Sequence, residues 1–126
     1  MRMLLTVAFT LSTFFTGTLS AAADEAAEMA KQVEKGKQAY GLYCVTCHGP
    51  NGDGKGPVGA SLNPSPRDFT KAEFKYGATD QDIFDVISNG AAAKGGSPLM
   101  APWGAVIPEA DRWALVQYIR SLKTAN

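Results

Sequence analysis

The sequence predicts an all-α protein in which three main helices are joined by long loops rich in glycine and proline. Three segments place apolar residues at three- and four-residue steps, which is the period of an amphipathic helix. No segment alternates apolar and polar residues over the length of a strand, and glycine and proline interrupt the stretches between the helical segments. With 126 residues, the chain has the length of one domain with a modest core.

Residues 1–23 have the features of a secretory signal peptide, so we expect one folded domain over residues 24–126. Arg2 precedes an apolar run over residues 4–19, and three alanines at residues 21–23 form a cleavage site. An uncleaved membrane anchor is the alternative. The apolar run of about 16 residues contains several Thr and Ser, whereas a membrane span needs roughly 20 mostly apolar residues. After cleavage we expect no part of the protein in a membrane.

The charge balance argues against nucleic-acid binding. The chain has 12 Lys and Arg and 12 Asp and Glu, and Arg2 is the only one of them within residues 1–23, so removal of that segment leaves a net charge of −1. Neither a basic excess nor a strong basic cluster is present. Two small groups of like charge are interpreted as solvated helix faces: Lys31, Lys35 and Lys37, and Asp80, Asp82 and Asp85.

The first helix is predicted over residues 24–43, with Asp24 as its N-cap. Gly36 within this helix costs roughly 1 kcal/mol relative to Ala, so we expect a packing reason for it. The positions that recur at three- and four-residue steps are Ala30, Val33, Gly36, Tyr40 and Tyr43.

The second helix is predicted over residues 79–89. Thr79 suits the N-cap, and Asp82 three residues later completes a capping box. Gly90 stands where a helix ends. The apolar face consists of Ile83, Phe84 and Ile87.

The last helix is predicted from about Pro108 to Lys123, with Pro108 at the first helical position and acidic residues in the first turn. The loops over residues 49–68 and 91–107 show no helical or strand period. Loops of that length in a small domain are usually functional or disordered. The apolar stripe of the last helix consists of Leu115, Tyr118, Ile119 and Leu122.

Both cysteines of the chain and its only histidine lie in the sequence CVTCH, residues 44–48. A redox disulfide with this spacing usually sits beside a strand–helix unit, which is not predicted here. A structural zinc ion needs four ligands, and the chain has no other Cys or His. The pattern C-x-x-C-H is the attachment sequence of c-type haem. We therefore predict one haem c, bound covalently through Cys44 and Cys47, with His48 as an iron ligand.

The second axial ligand is predicted from the remaining side chains. With a single histidine, two imidazole ligands are impossible within the chain. Beyond residues 1–23, the methionines are Met29, in the first helix, and Met100, in the loop sequence SPLMAPWG. A thioether suits haem iron, and His/Met ligation raises its reduction potential. Met100 is the predicted ligand, and an open sixth position or Lys94 are the alternatives.

These residues resemble the class I c-type cytochromes, single-domain monohaem electron carriers, over essentially the whole of residues 24–126. The pattern G-x-x-x-Y-x-x-x-C-x-x-C-H, which contains Gly36 and Tyr40, is similar to the family's N-terminal helix. The resemblance implies a cytochrome c fold around one covalently bound haem. It also implies that the first and last helices cross closely at Gly36, which has no side chain.

The loop sequence GDGKGPVGASLNPSPRDF resembles that of bacterial family members from periplasmic respiratory chains. The resemblance implies that a main-chain carbonyl near Pro57 accepts a hydrogen bond from Nδ1 of His48, which would fix the tautomer. Arg67 is the basic residue placed to pair with a haem propionate, with a solvated loop position as the alternative. Trp103 is either a propionate donor or a wall of the haem pocket. The sequence Met100-Ala101-Pro102 departs from the family's common Met-Pro pair.

The resemblance implies a periplasmic electron carrier and not an enzyme. Iron with six ligands has no open position for a substrate, and export agrees with haem attachment outside the cytoplasm. We expect a monomer that meets redox protein partners transiently over a small interface, with no nucleic-acid partner. Two alternatives stay open: a haem-bearing subunit of a larger oxidase or reductase, and a haem enzyme or gas sensor if Met100 does not bind the iron.

Overall fold

The computed structural model describes residues 17–71, 74 and 79–123, and this part of the chain contains helices and no strand. Most of the predicted signal peptide, residues 1–16, lies outside the described residues. None of the described helices is long and apolar enough to cross a membrane. The helices are α1 (Gly17–Tyr43), α2 (Val45–His48), α3 (Asp80–Asn89) and α4 (Glu109–Ser121), and short 3-10 turns cover Gly59–Ser61 and Ala92–Lys94. The prediction of an all-α protein with three main helices is confirmed.

Helix α1, Gly17–Tyr43 in the described residues, already includes residues 17–23, before the predicted start at Asp24. Asp24 is exposed within the helix and does not cap it, so that prediction is wrong. The reason is that alanines flank Asp24 on both sides, and their high helix propensity continues the helix through this position. At its other end, α1 passes into α2 through Cys44, whose amide donates to the Tyr40 carbonyl at 2.9 Å. The CVTCH sequence therefore lies at the end of the first helix.

Helices α1 and α4 cross at Gly36, as the resemblance implies. A Cβ atom at Gly36 would overlap the carbonyl oxygen of Ala114 and would lie 2.8 Å from Cβ of Tyr118. Leu115 and Ile119 of α4 are buried beside this crossing. The predicted apolar stripe of the last helix therefore faces the core, and Gly36 permits the close approach of the two backbones.

Helix α3 has the predicted capping box and the predicted end. The Thr79 hydroxyl accepts from the Asp82 amide at 3.1 Å, and the Asp82 carboxylate accepts from the Thr79 amide at 3.2 Å. The helix ends at Gly90, whose φ of 78° lies in the region that favours glycine. Ile83 and Ile87 point into the core. This places one face of α3 opposite the CVTCH segment.

Helix α4 begins one residue later than predicted, because Pro108 is its N-cap and not its first helical residue. Pro108 has a ψ of 149°, outside the helical region, while its carbonyl accepts from the amides of the first turn. Trp113 is half-buried at the edge of the core and stacks on Phe84 of α3, with ring centroids 4.2 Å apart. This stack joins α3 to α4 on the side away from the CVTCH segment.

Candidate cofactor site

A cavity of about 450 Å³ lies between the end of α1, helix α2, one face of α3 and the two long loops. Its volume falls within the range of cofactor pockets. Apolar side chains of α3, among them Ile83 and Val86, form one part of its wall together with Ile119 of α4, and the loops form most of the rest. The lining brings together the two predicted attachment cysteines and the two predicted iron ligands: Cys44, Cys47, His48 and Met100.

The two cysteines lie on the cavity wall as free thiols. Cys44 is at the junction of α1 and α2, and the His48 amide donates to its carbonyl at 2.9 Å, so the helical backbone presents the motif as one rigid unit. Burial, with a smaller contribution from Cys47, raises the pKa of the Cys44 thiol to about 12. Within the described residues, no group of three or more His, Cys, Asp or Glu side chains is placed to hold a metal ion.

The His48 imidazole has a fixed tautomer. Its Nδ1 lies 3.2 Å from the main-chain carbonyl oxygen of Arg67. Because a carbonyl oxygen can only accept, Nδ1 carries the proton and Nε2 keeps its lone pair. Burial lowers the pKa of His48, and the Arg67 carbonyl partly opposes this effect. The arrangement leaves a neutral imidazole with one nitrogen available to a metal.

The expected hydrogen bond between the Pro57 region and His48 is therefore wrong, since Arg67 supplies the carbonyl. Pro57 is exposed, and the residues around it bind to the backbone of α2 instead. The Gly56 amide donates to the Cys47 carbonyl at 3.2 Å, and the Val58 amide donates to the Thr46 carbonyl at 3.0 Å. These bonds hold the first half of the loop against the motif's backbone, so the second half of the loop reaches the imidazole.

Met100 is half-buried on the cavity lining, in the loop that follows α3. Its carbonyl accepts from the Ala91 amide at 3.1 Å, and its amide donates to the Ser97 carbonyl at 3.2 Å. These two bonds fold the loop back on the end of α3 and place Met100 at the cavity. Met29, by contrast, is 48% exposed on α1 and does not line the cavity.

Lys94, the alternative ligand, is engaged with the acidic residues of α3. Its Nζ lies 2.7 Å from a carboxylate oxygen of Asp82 and 3.7 Å from one of Asp85. The hydrogen bond from Lys94, followed by that from Thr79, lowers the pKa of Asp82 to about 2. Asp80 similarly pairs with Arg120 of α4 at 2.7 Å. Each of the three acidic residues on α3 thus has a cation within 4 Å in the chain, and the group is not an isolated charged face.

Arg67 and Trp103 both line the cavity. The Arg67 guanidinium lies over the Phe74 ring at 5.2 Å from its centroid. The Trp103 amide donates to the Ile87 carbonyl at 2.9 Å, and its ring packs against Tyr43 at 5.5 Å. Trp103 therefore forms part of the cavity wall.

Sequence reasoning missed two contacts beside the CVTCH segment. The ring of Phe69 stacks on the His48 imidazole, and the Tyr40 hydroxyl donates to the Gly49 carbonyl at 2.8 Å, next to the motif. Phe69 belongs to no periodic segment. The one signal in the sequence is that Phe69 is a large aromatic residue beside many Gly and Pro residues, which indicates that this part of the loop packs against the rest of the protein.

The residues on this lining fit haem c. Two thiols, an imidazole with a free Nε2 and a thioether are arranged around a cavity whose wall is largely apolar. This donor set matches the chemistry of covalent attachment and His/Met iron ligation. Arg67 adds a cation near the cavity for an acidic substituent.

The comparisons with known families and curated proteins agree with this arrangement. A family model described as cytochrome C oxidase, cbb3-type, subunit III matches residues 31–119. The cbb3-type cytochrome c oxidase subunit CcoP of Azospirillum brasilense is 29% identical over 93 residues, which are 74% of this chain and 29% of the relative. Subunit FixP of Azorhizobium caulinodans is 31% identical over 89 residues, 71% of this chain and 27% of the relative. The chain thus spans less than a third of the length of these relatives.

A solved structure shows the same backbone arrangement. A chain of the reducing HAO-like protein complex of Kuenenia stuttgartiensis superimposes with a TM-score of 0.62 and 34% sequence identity. The match covers 71% of this chain and 42% of that chain.

Proposed function

Since the chain belongs to the cytochrome c oxidase, cbb3-type, subunit III family, we propose that it is a single-haem electron-transfer protein that works outside the cytoplasm. The predicted class I c-type cytochrome fold is confirmed by this membership and by the solved structural relative. The observation that supports the proposal best is the shared cavity, because residues from α2 and from a distant loop converge on one lining.

In this proposal Cys44 and Cys47 attach one haem covalently, and His48 and Met100 are its axial ligands. The bound haem supplies a one-electron Fe(III)/Fe(II) couple. The Arg67 carbonyl holds the His48 proton on Nδ1, which makes Nε2 the stronger ligand atom. The thioether of Met100 favours the reduced state and raises the potential.

The role of the polypeptide is to exclude water from the cofactor and to keep the axial ligands in place. The largely apolar lining of the cavity lowers the local dielectric around the cofactor, which is one of the means by which a protein sets a haem potential. With both axial positions occupied, no site remains for a substrate. We therefore propose electron transfer without substrate turnover, with Arg67 and Trp103 beside the haem propionates.

We place this function in a bacterial periplasm, with residues 1–23 as a signal peptide and residues 24–126 as the cytochrome domain. We expect partners to meet the protein at the edge of the cavity around Leu99, which lines the cavity and is 59% exposed. A small contact suits the brief encounters of electron carriers.

A second candidate is a haem-bearing subunit of a larger oxidase or reductase. The observation that favours it is that both curated relatives are named as oxidase subunits. Such a subunit would use the same residues and the same couple, so the two candidates differ only in whether the partner stays bound.

The test is to purify the chain from a periplasmic fraction of a host that makes c-type cytochromes. We expect one haem to stay attached after denaturation, and we expect the reduced protein to bind carbon monoxide slowly or not at all. A protein without covalent haem would contradict the proposal, and rapid carbon monoxide binding would indicate an open iron. Chromatography of an extract of the native host distinguishes the two candidates. Elution together with an oxidase or reductase at fixed stoichiometry would favour the bound subunit over the free carrier.

A further inference from the structure

The imidazole of His48 is held on its edge and on its face by a single short segment of the first long loop. On the edge, Nδ1 is 3.2 Å from the carbonyl oxygen of Arg67. On the face, the Phe69 ring lies nearly parallel to the imidazole, with centroids 4.5 Å apart and 18° between the planes. A single residue, Asp68, separates Arg67 from Phe69 in the chain, so one short segment makes both contacts.

Phe69 is itself held against the core. Its amide donates to the Gly52 carbonyl at 2.6 Å. The edge of its ring meets Tyr40 of α1, with centroids 6.5 Å apart and 69° between the planes. Tyr40 is 2% exposed, and its hydroxyl donates to the Gly49 carbonyl. The ring behind the imidazole is therefore backed by a buried helix residue and by a backbone hydrogen bond.

The hydrogen bond alone restrains the imidazole weakly. A nitrogen–oxygen distance of 3.2 Å is at the long end of the range for such bonds, so it fixes the proton's position better than the ring's rotation. A parallel aromatic ring resists rotation about the Cβ–Cγ bond, because any turn would press the imidazole into its neighbour. The two contacts thus restrict different motions.

We propose that Phe69 is a positioning residue that sets the direction of the His48 imidazole plane, while the Arg67 carbonyl sets its tautomer. This inference rests on the proposed role of His48 as an iron ligand. The direction of an axial imidazole plane decides which iron d orbital overlaps the ring, and therefore how unpaired electron density is distributed over the haem. Outer contacts of this kind orient metal ligands and tune the metal.

The first test uses the unmodified holoprotein in its reduced, diamagnetic state. We expect nuclear Overhauser contacts between the ring protons of Phe69 and those of His48. If haem and both axial ligands are present and these contacts are missing, the inference is overturned and the proposed function stands. If no covalent haem is present, the proposed function fails, which is a separate result.

The second test compares Phe69→Leu with the matched control Phe84→Leu. Phe84 also forms a near-parallel stack, with Trp113 at 4.2 Å and 17°, but it does not line the cavity. In the oxidised proteins we expect the spread of the four haem methyl proton signals to change in Phe69→Leu. We expect the wild-type pattern in Phe84→Leu and in Phe69→Tyr, which keeps the ring.

A wild-type methyl pattern in Phe69→Leu would overturn the inference, as would an equal change in Phe84→Leu. If Phe69→Leu does not fold with haem, the contacts measured in the unmodified protein decide the question, since they need no substitution.

Discussion

Gly36 of α1 lies against the main-chain carbonyl of Ala114 in α4, so the two helix backbones meet without a side chain between them. Helix α1 ends at Tyr43, seven residues after this crossing, and the CVTCH segment follows directly. The contact between α1 and α4 therefore belongs to the same helix that carries the motif at its end.

Gly36→Ala should destabilise the protein, although Ala favours an isolated helix by about 1 kcal/mol. The added methyl group would meet backbone atoms, which cannot rotate away, and overpacking of this kind costs about 1–3 kcal/mol. The matched control is Gly41→Ala in the same helix, where an added Cβ meets nothing within 4 Å. Urea unfolding of the two holoproteins measures the difference. A gain in stability for both variants would show that the helices are not in close contact.

Met100→Ala should keep the covalent haem and lose the second axial ligand. We expect exchangeable binding of carbon monoxide or imidazole, and a lower midpoint potential, because the thioether stabilises the reduced iron. Met29→Ala is the control, since Met29 is exposed on α1 away from the cavity. Optical spectra and a redox titration provide the readout. Unchanged spectra in Met100→Ala, or the same loss in Met29→Ala, would exclude Met100 as the ligand.

Cys44→Ser should greatly reduce covalent haem attachment. The serine hydroxyl matches the thiol in shape but does not form the thioether bond, and its position on the cavity wall stays the same. The yield of haem that remains with the polypeptide after denaturation, measured by mass, tests this. A normal yield with two thioether bonds would contradict the assignment of the motif.

Lys94→Gln should make electron exchange with a small cationic redox reagent faster at low salt and more sensitive to ionic strength. The substitution leaves Asp82 and Asp85 without their cation, and Asp82 lines the cavity. Unpaired charges near the reaction site steer an oppositely charged reagent, and salt screens this effect. Lys37→Gln on α1 changes the net charge equally, far from the cavity lining. Equal salt dependence in the two variants would show that the local pairing has no effect.

Local spacing explains why several predictions were confirmed. Thr79 and Asp82, which form the capping box, are three residues apart. At that spacing the side chain of each residue reaches the main-chain amide of the other, so the sequence alone predicts the pairing. The same holds for the apolar stripe of α4, whose period follows from helix geometry. The extension of α1 before Asp24 has a local cause too, because the alanines at residues 21–23 and 26–27 favour helix on both sides of it.

The hydrogen-bond partner of His48 could not be predicted from local spacing. Pro57 and Arg67 lie in one loop that has no helical or strand period. The loop is long enough for the carbonyl of either residue to reach His48. Only the folded structure decides which carbonyl binds His48. The amides of Gly56 and Val58 donate to the backbone of α2 and hold the first half of the loop there, which leaves the second half at the imidazole.

The residue types and their spacing were enough to predict the cofactor chemistry, since CVTCH and one distant methionine restrict the choices to very few. The tertiary structure decided which loop atoms hold the ligands and which charges pair across helices. The physical reason is that ligand chemistry depends on side-chain identity over a few residues, whereas the positions of Arg67 and Phe69 around His48 depend on how a long loop closes on the core.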